Sequence, residues 1–288
     1  MTSAELLYQS GIINHRLMKL SNIFSRRNRI LLRELVSTEF KLRYQDSILG
    51  FVWSLLKPLL MFAILYFVFG KLLKIGSDIE HYAVYLLLGI VLWNFFAEAT
   101  GQGLSAIVAR GDLIRKINFP KYIIVVSGTI SALINLGLNM IVIVIFMLIN
   151  GVPLLDTIPL FLLSIVELYI FALAVAFFLA AANVRYRDIG HIWEIIVQAA
   201  FYATPILYPA SLLISLAGVF GKILMLNPVA QIIQDGRYSI ISHQSETVWS
   251  MFADKPYIAI IPIVIVIVVA IIASKYFQKN SKHFAEIV

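Results

Sequence analysis

Residues 109–150 read ARGDLIRKINFPKYIIVVSGTISALINLGLNMIVIVIFMLIN, and this stretch decides the fold. Arg110, Arg115, Lys116 and Lys121 crowd its first third, and no charged residue follows from Tyr122 to Asn150. The apolar run from Ile123 to Ile149 exceeds the roughly 20 residues needed to cross about 30 Å of hydrocarbon. Basic residues stay on the cytoplasmic side of such a run, so one stretch sets both a crossing and its direction. Working outward, the pattern repeats. Arg16, Lys19, Arg26, Arg27, Arg29, Arg33, Lys41 and Arg43 precede the first apolar run. Arg185 and Arg187 divide the fourth from the fifth, and Lys275, Lys279 and Lys282 follow the sixth. The alternate side holds only Lys71, Lys74, Lys222, Arg237 and Lys255. The sequence therefore predicts an all-α polytopic membrane protein with six transmembrane helices and cytoplasmic termini.

Composition agrees. The chain has 288 residues, is 60% hydrophobic and has a mean hydropathy of +0.89, where a soluble domain is nearer half apolar. Six crossings use about 120 residues, which leaves no separate soluble domain of useful size. The net charge of +7 expresses the bias of the loops rather than nucleic-acid binding, because no basic stretch is interleaved with aromatics on a soluble fold. With no Cys, disulfides, thiolate metal sites and Cys nucleophiles are excluded. Met1–Leu20 lacks the apolar core and small-residue cleavage site of a signal peptide, so insertion is expected to use the first span.

The spans are expected within Phe51–Leu73, at Tyr82–Phe96 extending toward Gly101, and at Ile123–Ile149, Ile158–Ala182, Ile192–Leu207 and Tyr257–Tyr276. Lys57 and Pro58 fall inside the first window. Either that helix starts near Pro58, as a first-turn proline would allow, or Lys57 is held within protein. Before it, Ile30, Leu31, Leu35, Val36, Phe40 and Leu42 recur near helical spacing among charges, which predicts an amphipathic interface helix over 28–46. The domain plan is a cytoplasmic segment 1–27, this helix, a transmembrane domain 51–276 and a cytoplasmic tail 277–288. The piece Leu212–Leu226 is short and broken by Gly218 and Gly221, which predicts re-entrant outside helices between spans five and six. Residues 234–256 read as a polar outside loop.

Several residues draw attention. Glu167 lies well inside the fourth span, where an acid is costly and faces a wet cavity or bonds a neighbouring helix. Glu98, near the expected inner end of the second span, reads as exposed to the cytoplasm. Asn135 and Asn139 lie one turn apart on one face of the third, a spacing suited to inter-helix bonding or substrate contact. Aromatics are dense on the first span (Phe51, Trp53, Phe62, Tyr66, Phe67, Phe69) and fifth (Phe201, Tyr202, Tyr208). Such rings offer apolar faces and polar edges suited to sugars, or serve lipid contact and packing. Arg110–Lys121 reads as a short amphipathic docking segment. No phosphate loop occurs, the histidines are scattered, no Gly-x-Ser-x-Gly is present, and the buried charges form no proton relay.

The stretch Arg33-Glu34-Leu35, Phe40-Lys41-Leu42-Arg43-Tyr44, Ser47-x-Leu49-Gly50-x-x-Trp53 and Pro58 resembles the start of permeases of polysaccharide and polyol-phosphate ABC exporters. These are the type-2 exporters of O-antigen, capsule, teichoic acid and related polymers. Leu113–Pro120, Arg185-Tyr-Arg-Asp188, Pro205-Ile-Leu-Tyr-Pro209 and Asn227-Pro228 agree. The resemblance implies a homodimer with two ATP-binding subunits, a channel for a lipid-linked glycan, an interface helix at 28–46 and a gate helix at 108–118. It implies that ATP and Mg sit on the partner, with no cofactor, metal or catalytic residue on this chain. The expected channel residues are Trp53, Tyr66, Phe201 and Tyr202. Lys41, Arg43, Arg115 and Lys116 are expected near the diphosphate head group, and Arg33, Glu34, Asp112, Leu113, Arg187 and Asp188 at the ATPase contact. The location implied is the inner (cytoplasmic) membrane. Two other readings remain open. One is a type-2 exporter of a drug or lipid. The other is a membrane enzyme on polyprenyl-linked substrates, which would draw on Asp235, His243, Glu246 and Asp254.

Overall fold

The structure, a computed structural model, describes residues 26–44, 50–77, 79–153 and 155–287. The N-terminal segment up to residue 25 and the side chain of Arg43 lie outside the described residues. Regular secondary structure among the described residues is helical. Helix α1 is Arg26–Tyr44; a short 3-10 turn, Gly50–Val52, leads into α2, Trp53–Leu65, which continues as a π-helix over Tyr66–Leu72. Then come α3 (Tyr82–Ala109), α4 (Gly111–Lys116), α5 (Tyr122–Ile149), α6 (Ile158–Arg185), α7 (Ile189–Ala203), α8 (Ala210–Met225) and α9 (Pro228–Ile240). The short α10 (Val248–Met251) and α11 (Pro256–Ala259) precede α12 (Ile261–Asn280) and α13 (Phe284–Ile287).

Among the described residues, five helical segments are long and apolar enough to cross a membrane: Trp53–Leu72, Tyr82–Ala109, Tyr122–Ile149, Ile158–Arg185 and Pro256–Asn280. A sixth arises if α8 and α9, bent by 101° at their junction, count as one. The all-helical membrane architecture expected from the sequence is thus observed, with five to six spanning helices.

Four details depart from the reading above. The first span begins upstream of Pro58, which sits inside α2, and Lys57 is exposed. An interior proline removes the hydrogen bond to the carbonyl four residues earlier. Here that carbonyl, Ser54 O, accepts instead from Asn139 Nδ2 at 3.4 Å. Second, α3 runs on to Ala109, so Glu98 lies about 16 Å from its end at 1.5 Å per residue. It is half-buried and bonded by Asn135 Nδ2 (2.7 Å) and Gln102 Nε2 (2.8 Å) rather than facing the cytoplasm. Third, the fifth region stops early. Thr204 turns to extended backbone before Pro205, leaving α7 with 15 residues, about 22 Å and short of a crossing. Fourth, the first part of the predicted loop 234–256 is helical. Residues 228–240 form α9, capped by Asn227, whose side chain accepts from Val229 N at 3.1 Å, with Pro228 in the first turn. Nearly every residue of α9 is buried.

The core is organised around α3. In its most apolar stretch 78% of residues are buried, against 6% for α2, so α3 is central and α2 peripheral. Helices α5, α6 and α9 pack on it through Leu136, Leu168, Ile232 and Ile233. Its approach to α6 is close because Gly103 faces Ala176. A Cβ at Gly103 would stand 2.4 Å from Ala176 Cβ and 2.8 Å from its Cα. Even Gly103→Ala must therefore push two helices apart, and overpacking of this kind costs about 1–3 kcal/mol. Its melting midpoint should fall, while Gly137→Ala, with nothing within 4 Å, should hold or gain slightly from helix propensity. Equal midpoints for the two variants would contradict this packing.

Candidate functional site

Two ends of the bundle carry the polar chemistry. At the basic end, α1, the end of α3, α4, the start of α5, the end of α6 and the end of α12 meet. Leu35, Ile107, Ile114, Ile123, Val184 and Phe277 form their shared apolar cluster. Phe284 of α13 joins it, its ring 5.5 Å from that of Phe277, so the tail packs into this end.

Six residues at this end are the expected ATPase contact. Helix α4 buries Ile114 and leaves Asp112, Arg115 and Lys116 exposed, with Leu113 half-buried. Arg33 and Glu34 are exposed on α1, and Arg187 and Asp188 on the α6–α7 turn. The structure thus gathers them on ends that share one cluster, with charged tips accessible to a partner.

Behind them lies an ion pair that the sequence did not single out. Arg110, at the α3–α4 junction, donates through Nη2 to Glu39 Oε1 of α1 at 2.7 Å, and both side chains are under 20% exposed. Ser131 Oγ donates to the other carboxylate oxygen at 3.0 Å, and Ser127 Oγ stands 3.3 Å from the first. One carboxylate therefore ties α1 to α4 and α5 together. The signal was present: Asn28, Leu32, Leu35 and Glu39 follow helical spacing on one face, which sets an acid on the buried stripe.

Of the expected head-group residues, Lys41 lines a groove of about 580 Å³ between α1 and α5 with Arg29 and Arg33, over Leu32, Val36 and Ile134. Arg115 and Lys116 stand apart on α4 and do not line that groove.

The opposite end, some 22 residues or about 33 Å up α3, centres on Arg237. This α9 side chain is 0% exposed. Its Nη1 donates to Pro205 O (2.6 Å) and Gln234 Oε1 (2.9 Å). Nη2 donates to Ile206 O (2.8 Å) and Tyr85 O (3.2 Å), and Nε also reaches Tyr85 O at 3.3 Å. The guanidinium lies 3.4 Å above the Tyr85 ring. Gly89 makes the opening, since a Cβ there would be 2.6 Å from Nη2. Tyr82 Oη donates to Leu207 O at 2.8 Å and Tyr85 Oη to Tyr208 O at 3.4 Å. Each carbonyl of Pro205-Ile-Leu-Tyr208 is thus bound by a side chain of α3 or α9. Buried backbone carbonyls need such partners, and here Arg237 supplies the donors that the broken helix lacks. Nothing in the sequence but the capping Asn227-Pro228 pair foretold this, because Gln, Asp and Arg at high density read as loop.

The expected channel residues separate. Trp53 on α2 is 45% exposed and Tyr202 on α7 is 58% exposed. Phe201 is buried, its ring 6.0 Å from Trp93 and 5.3 Å from Tyr202. Tyr66 is half-buried in a run of stacked rings, 5.6 Å from Phe62 and 6.1 Å from Tyr82, which itself lies 6.2 Å from Tyr85. Glu167 is half-buried beside Gln231 and Asp235 of α9. Of the acids and histidine in the enzyme reading, Asp235 accepts from Gln231 Nε2, and His243 is held by Thr157 Oγ1 at 3.1 Å and by the Tyr238 ring. Partial burial pushes the Glu246 carboxyl up, with a Ser211 backbone bond opposing it. Among the described residues no group of three acidic, His or Cys side chains is placed to hold a metal ion.

An apolar helical bundle with five to six helices able to cross a membrane and an exposed, charged surface at one end defines an integral membrane protein. The description "ABC-2 type transporter" matches residues 30–241, and the chain belongs to that family. It is 29% identical over 256 residues to the O-antigen export system permease protein RfbA of Myxococcus xanthus, covering 89% of this chain and 94% of that one. Two Klebsiella pneumoniae proteins of the same description are 29% identical over 208 residues (72% of this chain, 78% of theirs) and 26% over 259 (90% and 95%).

Proposed function

We propose that this chain is the membrane subunit of an ATP-driven exporter of a polyprenyl-diphosphate-linked polysaccharide. The observation that carries the reading is its near end-to-end similarity to O-antigen export permeases. In this reading two copies form a channel in the inner (cytoplasmic) membrane, with their basic ends and termini in the cytoplasm. Two separate ATP-binding subunits hold ATP and Mg and dock on α4 and the α6–α7 turn. The exposed Asp112, Arg187 and Asp188 support that docking surface. The partners are thus a second copy, the ATP-binding subunits, the lipid-linked glycan and membrane lipid, and no nucleic acid. The chain itself binds no cofactor.

The diphosphate enters near Lys41, with Arg43, Arg115 and Lys116 completing a cationic approach. Arg binds such oxygens bidentately and Lys as a point charge. A sliding polymer needs weak, repeated contacts, which aromatic faces provide. The exposed Trp53 and Tyr202 suit that role directly, and Tyr66 and Phe201 back them. The bent α8–α9 pair re-enters from the outside and caps the path.

Deletion of the chain tests the whole reading: surface polysaccharide should vanish while its lipid-linked precursor accumulates inside. Normal surface polymer in the deletion strain refutes the cargo. With no phosphate loop, the purified chain should hydrolyse no ATP, and hydrolysis should appear on adding the ATP-binding partner. Trp53→Ala and Tyr202→Ala should slow export of long chains while hydrolysis continues. Wild-type chain lengths at the surface would remove both residues from the wall.

A further inference from the structure

We propose that the basic end holds an anionic glycerophospholipid in a built cleft, with its phosphate on Arg29, Lys121 and Lys282 and an acyl chain against Leu173, Phe177 and Phe277. The cleft measures about 880 Å³ and is walled by α1, the start of α5, α6 and α12. That volume lies within the roughly 300–1,000 Å³ of small-molecule sites.

Its chemistry is divided. The inner wall is apolar, from α6 and α12. The three cations come from three different segments, and no Asp or Glu lines the space. None of the three enters an ion pair among the described residues. A cluster of unneutralised cations over an apolar slot fits an amphiphile with an anionic head, as basic pockets beside membrane helices do. Free phosphate would satisfy the cations and leave the slot empty.

Two observations favour a bulk lipid over the carrier lipid of the export reading, whose Lys41 groove shares Arg29 and Leu32 with this cleft but none of its α6 or α12 wall. None of the lining residues belongs to α2 or α7, the helices with the exposed aromatics. The wall helix α12 belongs to the most apolar span of the chain, at a hydropathy of 3.0, and leaves Val264, Ile267, Ile271 and Ile272 exposed. The cleft therefore opens beside a surface made for lipid. A molecule seated there bridges α1 to the end of α12, which share the cluster around Leu35 and Phe277.

The test uses the full-length chain reconstituted in phosphatidylcholine vesicles with about one-third phosphatidylglycerol, then extracted and assayed for retained lipid by mass spectrometry. The wild type should retain phosphatidylglycerol selectively. Arg29→Gln/Lys121→Gln/Lys282→Gln should retain on the order of a hundredfold less, as the loss of three cations near an anionic lipid implies. Arg26→Gln/Lys275→Gln/Lys279→Gln removes the same charge from exposed positions outside the cleft and should change little. Ser274→Trp keeps the cations, fills the slot and should also lose the lipid, which decides the matter if the triple variant does not fold. Equal loss in both triple variants would mean diffuse surface charge and overturn the proposal. So would displacement of the lipid by inorganic phosphate, or by polyprenyl diphosphate at equal concentration. None of these outcomes depends on which polymer is exported.

Discussion

Replacing Arg237 by methionine will unseat α9. Methionine keeps much of the volume and none of the donors. The carbonyls of Pro205 and Ile206 and the amide oxygen of Gln234 lose their bonds to the guanidinium, and the Tyr85 ring loses its cation. A buried acceptor stripped of its donor costs about 1–3 kcal/mol, and the acceptors of Pro205, Ile206 and Gln234 all lose theirs. At roughly 2–4 °C per kcal/mol, the melting midpoint in detergent should fall by about 10 °C. Arg237→Lys retains the charge but loses the planar fork, so it should lie between methionine and wild type. A methionine variant as stable as wild type would mean that the turn at Pro205–Tyr208 holds itself.

Glu39→Ala should uncouple α1 from the α3–α4 junction with a smaller loss of stability. It leaves Arg110 with Ser127 Oγ at 3.4 Å as its only side-chain bond among the described residues. Once α1 is no longer tied to the α3–α4 junction, motion delivered to α4 should no longer carry α1 with it. On the proposed export function, the expected result is ATP hydrolysis near wild type in the assembled transporter, with export reduced several-fold. A double-mutant cycle with Arg110→Ala should give a coupling of about 1–3 kcal/mol, the range for contacting residues in one network. The reversed pair Glu39→Arg/Arg110→Glu should recover part of the export. Additive losses and no recovery would make the pair incidental.

The contrast between these two sites shows what the chain discloses. Apolar runs and their basic flanks were legible because the bilayer rewards them residue by residue. The spans at Tyr122–Ile149 and Ile158–Arg185 stand within a few residues of the expectation for that reason. The amphipathic α4 was legible too, since Ile114 inside and Arg115 and Lys116 outside follow its helical period. Glu39 was half legible, as one acid among many charges, its meaning fixed only when Arg110 arrives from 71 residues away. Arg237 was illegible. Its partners lie 31, 32 and 152 residues distant, and no local period announces a cation whose cage is built by other segments. Asn139 was legible as an inter-helix bonding residue, while its acceptor, Ser54 O freed by Pro58, is fixed only once α2 and α5 stand side by side.

The burial of α9 also orders the chain in time. Ribosomes deliver α3, α5 and α6 first, and each is apolar enough to leave the insertion machinery for lipid on its own. Helix α9 is not: it carries Gln231, Gln234, Asp235 and Arg237 within 13 residues, and a central Arg or Asp alone opposes insertion by about 2.5–3.5 kcal/mol. Its seat is made of protein already in place, chiefly the Gly89 opening and the Tyr85 carbonyl on α3. Biogenesis therefore includes a docking step, in which a polar helix seats on spans that preceded it into the membrane and the last span, Pro256–Asn280, follows.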